Sequence, residues 1–458
     1  MYDTIIIGAG MSGLAAGIRL AHYDRRVCIL ERHTTIGGLN SFYRLRGRNF
    51  DVGLHAVTNF TPKGARKGPL ARLLKQLRFG WEEFALCPQI GSEIAFPGIR
   101  LKFNNDFEFF RSEIHRHFPS QKDRFERLVQ SITDYDDLDF DTAGRSAREV
   151  VGQLLSDPLL VDMLFCPLMY YGSARENDMD FGQFCVMFRS IFVEGLARPF
   201  AGVRLILRKL VRRYKALGGE LRLRAGVSQL KVNQDKVSEV VLDDGTTLHA
   251  HNILSSAGYA ETMRMCDDPQ HTPTGGSGQL SFIETLSVLD KQPSDIGYKS
   301  TLVFFNDSDK FHYEKPRDDM VDVRSGVICS PNNFAYDQPL DEGIIRITSL
   351  ANFDRWKALS EDEYRLAKLR WYDASTASAV RFIPDFRSSV IETDMFTPTT
   401  IRRFTWHDNG AVYGAPKKHY DGHTHLSNLF ICGTDQGFLG IIGAIISGIS
   451  MANQHCLK

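Results

Sequence analysis

Apolar residues recur along this chain at two different periods, and the switches between them mark its elements. Thr4-Ile5-Ile6-Ile7 is a short β-branched run, after which Leu14, Ala15, Ala16, Ile18 and Leu20 recur at helical spacing. The pair predicts a buried strand feeding directly into a helix. Val27-Cys28-Ile29-Leu30 is a second strand of the same kind. In mid-chain 205–217 reads as a helix and 220–224, 227–232 and 237–242 as strands, closing on Ile253-Leu254-Ser255-Ser256. A last strand at 428–432 precedes a glycine-punctuated apolar run at 437–450. This alternation predicts an α/β fold whose Rossmann-type domain is assembled from discontinuous segments, about 1–75, 205–265 and 415–458. The stretches between them, about 76–204 and 270–414, are expected to form a second, α+β domain for the substrate.

The turn after the first strand carries the clearest chemistry. Gly8-Ala9-Gly10-Met11-Ser12-Gly13 is GxGxxG between a strand and a helix. Gly8 allows the tight turn, Gly10 lets backbone approach a pyrophosphate, and Gly13 lets helix and strand pack closely, with the phosphates at the helix N-terminus. Glu31 closes the second strand, where a carboxylate can accept hydrogen bonds from a ribose. Arg32 follows, and within one short loop come Gly37, Gly38, Leu39 and Asn40. FAD, longer than NAD at its reactive end, needs such a further backbone approach. At the other end of the chain Gly433-Thr434-Asp435 closes the last strand. Gly440, Gly443, Ala444, Ser447 and Gly448 then give the following helix a small-residue face that can meet a flat ring.

Together these residues resemble the FAD-dependent amine oxidase and phytoene desaturase superfamily, and within it the carotenoid isomerase and retinol saturase branch. The likeness also rests on Asn49-Phe50-Asp51-Val52-Gly53-Leu54-His55, on Thr397-Pro398-Thr399-Thr400 with Arg402-Arg403, on Gly410-Ala411-Val412-Tyr413-Gly414, and on Gly440-Ile441-Ile442-Gly443-Ala444. It runs the length of the chain and is dense in the cofactor segments. Where desaturases often carry Pro-x-Gly-Gly, this chain has Pro199-Phe200-Ala201-Gly202.

The resemblance implies that FAD is the cofactor. Ser12, Glu31, Arg32, Gly38, Leu39, Gly53, Leu54 and His55 would line its path. Val227 would hold the adenine through its backbone, Asp435 would meet the ribityl or pyrophosphate region through its carboxylate, and Ile441 and Ile442 would lie by the isoalloxazine. It implies an oxidoreductase that desaturates, saturates or isomerises a long apolar isoprenoid or carotenoid at carbon–carbon bonds by hydride exchange with flavin N5. The alternatives are a flavin amine oxidase of the same fold and a catalytically silent flavin- or lipid-binding protein. His55 is a candidate for proton transfer beside N5, or else a packed, hydrogen-bonded histidine. Arg403 and Tyr413 are candidates for the active cleft.

Composition narrows the classes further. The 458 residues can hold two domains, 43% of them are hydrophobic, and the formal net charge is zero, which argues against a nucleic-acid partner. Eight cysteines are scattered without a CxxC pair, the first strand starts at once, and no stretch suits a membrane span, so a cytoplasmic protein is expected. No metal is expected, since the pairs His115/His117, His249/His251 and His423/His425 have no acid cluster beside them. No second GxGxxG follows a strand, which leaves the electron acceptor open. Gly275-Gly276-Ser277-Gly278 in the linker at 267–279, like the acidic loop at 134–144, reads as a plain connection. In 63–78, Leu70, Leu73, Leu74 and Leu77 share a helical face ringed by Lys63, Arg66, Lys67, Arg72, Lys75 and Arg78. This is a core-facing amphipathic helix or a contact with the inner membrane surface. The 31 phenylalanines could line an apolar tunnel.

Overall fold

The computed structural model describes residues 1–136, 144–268 and 276–457. The expected linker at 267–279 and acidic loop at 134–144 therefore fall largely outside the described residues. The chain folds as α/β around two sheets. The first is parallel and five-stranded, in the order Leu429–Ile431, Ala250–Ser255, Tyr2–Ile7, Val27–Leu30, Glu220–Arg222. The β-branched run lies at its centre because both of its faces are covered. Ile6 points into a helical layer and Ile5 and Ile7 into the opposite core, as the period-2 geometry of a strand requires.

On the Ile6 side the helix Met11–Ala21 packs on the C-terminal helix Gly440–Met451. A Cβ on Gly448 would lie 2.0 Å from the carbonyl oxygen of Ser12, so only glycine permits this approach. The other face is covered by a three-stranded antiparallel sheet, Val227–Asn233, Lys236–Leu242 and Thr247–Leu248. The mid-chain helix runs Val203–Ala216, and the strand after it stops at Arg222, short of the expected 224, because Arg224 takes a left-handed φ of 55° that turns the chain out of the sheet.

The second sheet has seven strands, in the order Val390–Phe396, Ser281–Leu289, Gly343–Ala351, Val321–Cys329, Leu302–Asn306, Ser92–Phe96, Ile99–Phe103. All pairs are antiparallel except Leu302–Asn306 with Ser92–Phe96. Helices between residues 107 and 193 cover one face, and Glu361–Ala379 packs on the other. Many phenylalanines fill the core between these helices and the sheet; Phe110 and Phe192, for example, stack at 4.3 Å. Among the described residues, those that reach the central cavity are Phe282, Phe396 and Phe404.

The 63–78 segment resolves into the helix Pro69–Leu77, whose four leucines are buried against the Met11–Ala21 and C-terminal helices. That face is occupied by protein, as the core-facing reading of this helix expects, so the apolar side that the alternative of a membrane contact required is not available. No helix among the described residues is long and apolar enough to cross a membrane.

Candidate active site

One continuous cavity of about 640 Å³ runs from the carboxyl ends of the parallel strands to the mixed sheet. Its position is the one an open parallel sheet provides for a nucleotide. Gly10 and Gly38 line it, and a Cβ on either would meet nothing within 4 Å, so backbone faces open space there. Gly13 serves packing instead: its Cβ would lie 2.1 Å from the oxygen of Gly8. Ser12, Glu31, Arg32, Gly37, Leu39 and Asn40 line the same half, with Gly8, Gly53, Val227 and Gly433. An elongated dinucleotide with a flat reactive end fits this set.

The acid at the end of the second strand is buried and already placed. Glu31 Oε2 accepts from the amide of Ala9 at 2.9 Å and Oε1 from that of His33 at 2.9 Å, which fixes the carboxylate beside the glycine turn. Arg32 donates to Asp243 at 2.7 Å and to the carbonyl of Val227 at 2.6 Å, joining the strand end to the three-stranded sheet.

Several sequence-derived residues lie elsewhere than expected. Asp435 turns away from the cavity: its two carboxylate oxygens accept from the amides of Ala415 and Tyr259, each at 2.7 Å. Those two amides belong to separate segments of the chain, which the carboxylate ties together, and Asp435 itself is not among the residues that line the cavity. Arg403 is solvent-exposed and lies over the ring of Phe404 at 5.6 Å, whereas its neighbour Arg402 lines the cavity. One residue per position along a helix turns the side chain by ~100°, and sequence gives no reason to choose between two adjacent arginines. Ile441, Gly440 and Ala444 face the cavity; Ile442 is fully buried behind them. The small-residue face is thus divided, since Ser447 donates no surface to the cavity and instead accepts from the amide of Gly433 at 2.8 Å.

Leu54 acts through its backbone, and His55 through its ring. Arg346 and Arg198 both donate to the Leu54 carbonyl. His55 Nε2 lies 3.3 Å from Glu284 Oε2 and 3.1 Å from the hydroxyl of Thr348. Glu284 is itself paired with Arg346 in the interior of the sheet. Burial alone would raise the Glu284 carboxyl, but the charges of Arg346 and His55 outweigh it and hold it at about 2. Burial depresses the His55 imidazole below its ordinary value against the pull of Glu284. The hydrogen-bond partner of Nε2 is the Thr348 hydroxyl, with the ionised Glu284 carboxylate beside both.

Around this polar cluster the wall is aromatic and aliphatic: Tyr170, Tyr171, Phe282, Ile283, Val327 and Val412. Tyr413 lines it too, donating its hydroxyl to the carbonyl of Tyr170, and burial raises its phenol well above the ordinary value. Glu284, Arg346, Thr348 and Arg198 went unnoticed in the sequence. A signal exists: a charged residue interrupts each of two apolar strands, Ser281–Leu289 and Gly343–Ala351, that prove to be neighbours.

Comparison with known proteins places this geometry in context. The family model for an NAD(P)-binding Rossmann-like domain matches residues 6–77. The chain is similar to prolycopene isomerase 2 of an Oncidium hybrid cultivar, at 22% identity over 99% of this chain and 83% of that protein. It is similar to all-trans-retinol 13,14-reductase of Danio rerio, at 21% identity over 98% of this chain and 85% of that protein. In fold it is similar to putrescine oxidase bound to putrescine, with a TM-score of 0.64 at 16% identity, covering 100% of this chain and 99% of that one.

Proposed function

Because the chain belongs to the FAD-dependent amine oxidase and phytoene desaturase superfamily, we propose that it binds FAD and is an oxidoreductase of a long apolar isoprenoid or carotenoid-type substrate. The reaction would remove, add or shift hydrogen at a carbon–carbon bond. On this reading the cofactor domain comprises 1–75, 205–265 and 415–458, and the substrate domain 76–204 and 270–414.

The observation that carries the proposal is the composition of the cavity wall beyond the nucleotide half: aromatic and aliphatic side chains around one titratable group, His55, held by Glu284 and Thr348. Bound flavin supplies hydride exchange at its N5. The protein's own part is alignment, exclusion of water and one proton. The aromatic wall orients a rod-like apolar chain that offers few polar handles. The His55 imidazole, neutral near pH 7, accepts a proton while Thr348 and Glu284 hold its Nε2 edge. The same wall does not favour an amine: Glu284, the carboxylate that would attract an ammonium, is taken up by Arg346.

Anaerobic bleaching of the flavin absorbance is the test, with isoprenoids and polyenes in liposomes and amines in buffer. Bleaching by an isoprenoid supports the proposal. Bleaching by amines alone overturns it. If reduced protein instead converts a polyene, solvent deuterium in the product identifies the proton step, and His55→Gln is expected to slow that step at least tenfold without releasing FAD.

A further inference from the structure

The mouth of the cavity at its adenosine end carries aromatic surface that the fold leaves uncovered. The helix Pro398–Thr405 ends on Trp406, which takes a left-handed φ of 64° and whose amide donates to the carbonyl of Arg402 at 3.0 Å. This turn brings the indole over the cavity. Trp406 is 44% exposed and its neighbour Phe404 49% exposed, yet both line the same space as Glu31, Arg32 and Val227. The guanidinium of Arg32 lies 4.3 Å from the centre of the Trp406 ring, and that of Arg402 lies 4.5 Å from it. Phe404 in turn meets the ring of His33 at 5.5 Å.

The segment is tied down on its far side. The amide of Asp408 donates to Glu261 at 2.7 Å, and the Asp408 carboxylate pairs with Arg264 at 2.6 Å. Glu261 and Arg264 belong to the helix Tyr259–Met265, which follows the strand Ala250–Ser255. Residues 404–408 therefore bridge the opening between the end of the second strand and this helix.

We propose that Trp406 is the cover of the adenosine end of the dinucleotide site, holding the planar guanidinium of Arg32 against the nucleotide and excluding water from it. This rests on the reading that the cavity takes FAD. Three observations support it. The acid at the end of the second strand fixes where the ribose lies, and Arg32 is the next residue. An indole stacked on a guanidinium holds that group flat by a cation–π contact. Two large exposed aromatic side chains side by side at a cavity rim gain most when a planar ligand closes against them. Trp406 is a positioning residue in this account, acting through Arg32, and takes no part in the redox step.

The test uses binding. Apoprotein is titrated with FAD, and separately with ADP, following the emission of its four tryptophans. In the wild type ADP alone is expected to change the emission, and Trp406→Phe to abolish that change while keeping FAD affinity within about threefold. Trp406→Ala is expected to weaken FAD at least tenfold, with an unchanged far-ultraviolet circular dichroism spectrum. Wild-type FAD affinity in Trp406→Ala, or an ADP response that persists in Trp406→Phe, overturns the cover while leaving the flavin reading intact. Failure of the wild type to take up either nucleotide overturns the flavin reading itself.

Discussion

Arg198 and Arg346 converge on one carbonyl: their Nη1 atoms donate to the oxygen of Leu54 at 2.7 and 2.6 Å. Arg198 comes from the short strand Ala197–Pro199 and also binds Asp51 and the carbonyl of His55, whereas Arg346 comes from the mixed sheet and pairs with Glu284. Two elements far apart in sequence thereby hold the backbone on which the His55 ring is mounted. Each guanidinium has a carboxylate partner of its own, so the clamp is electrically balanced.

Breaking that balance should be costly. Arg346→Met leaves Glu284 as a buried carboxylate without its cation, and removing one partner of such a pair typically costs ~3–5 kcal/mol. Replacing both, Arg346→Met with Glu284→Leu, is expected to recover part of the loss. Urea unfolding of the two variants measures this, and equal stability for the single and double variants would contradict the account.

The same cluster makes stability fall in acid. Glu284 is held at about 2, below its ordinary 4.5, so its contribution is complete above about 4.5 and is lost as pH falls through about 2. His55 is also depressed; its contribution is complete above its ordinary 6.5 and declines as the unfolded chain gains a proton below that. Thermal melting between pH 7 and 3 should show a decline beginning near 6.5, and His55→Gln should remove its upper part.

Within the glycine turn, packing and cradle are separable. Gly13→Ala places a methyl group 2.1 Å from the Gly8 carbonyl and should disrupt folding, whereas Gly10→Val projects into open cavity. Gly10→Val and Glu31→Ala are therefore expected to fold and to lose flavin on gel filtration. Full flavin retention by both variants would refute the assignment of this half of the cavity.

Helix packing gives a further prediction. Gly448→Ala puts its Cβ 2.0 Å from the Ser12 carbonyl, so the C-terminal helix must shift. Overpacking of this kind costs ~1–3 kcal/mol. Calorimetry should show a lowered Tm. Because Gly440 and Ala444 lie on the same helix at the cavity wall, flavin affinity should fall with it.

By itself the sequence determined the parallel-sheet half of this protein and the glycine turn that lines the cavity. A β-branched run, a glycine turn, an amphipathic helix and an acid at the next strand end are local features that depend on spacing along one stretch of chain, so the strand–turn–helix unit of residues 4–31 is legible directly. The apolar face of Pro69–Leu77 was equally visible, but whether it met lipid or protein depended on another helix more than 360 residues away. Tertiary structure decided which of Arg402 and Arg403 reached the cavity, turned the Asp435 carboxylate onto two backbone amides, and brought Glu284, Arg346 and Thr348 around His55. Those outcomes depend on strand register and helix rotation, which are set by the packing of whole sheets and not by any residue's own neighbours.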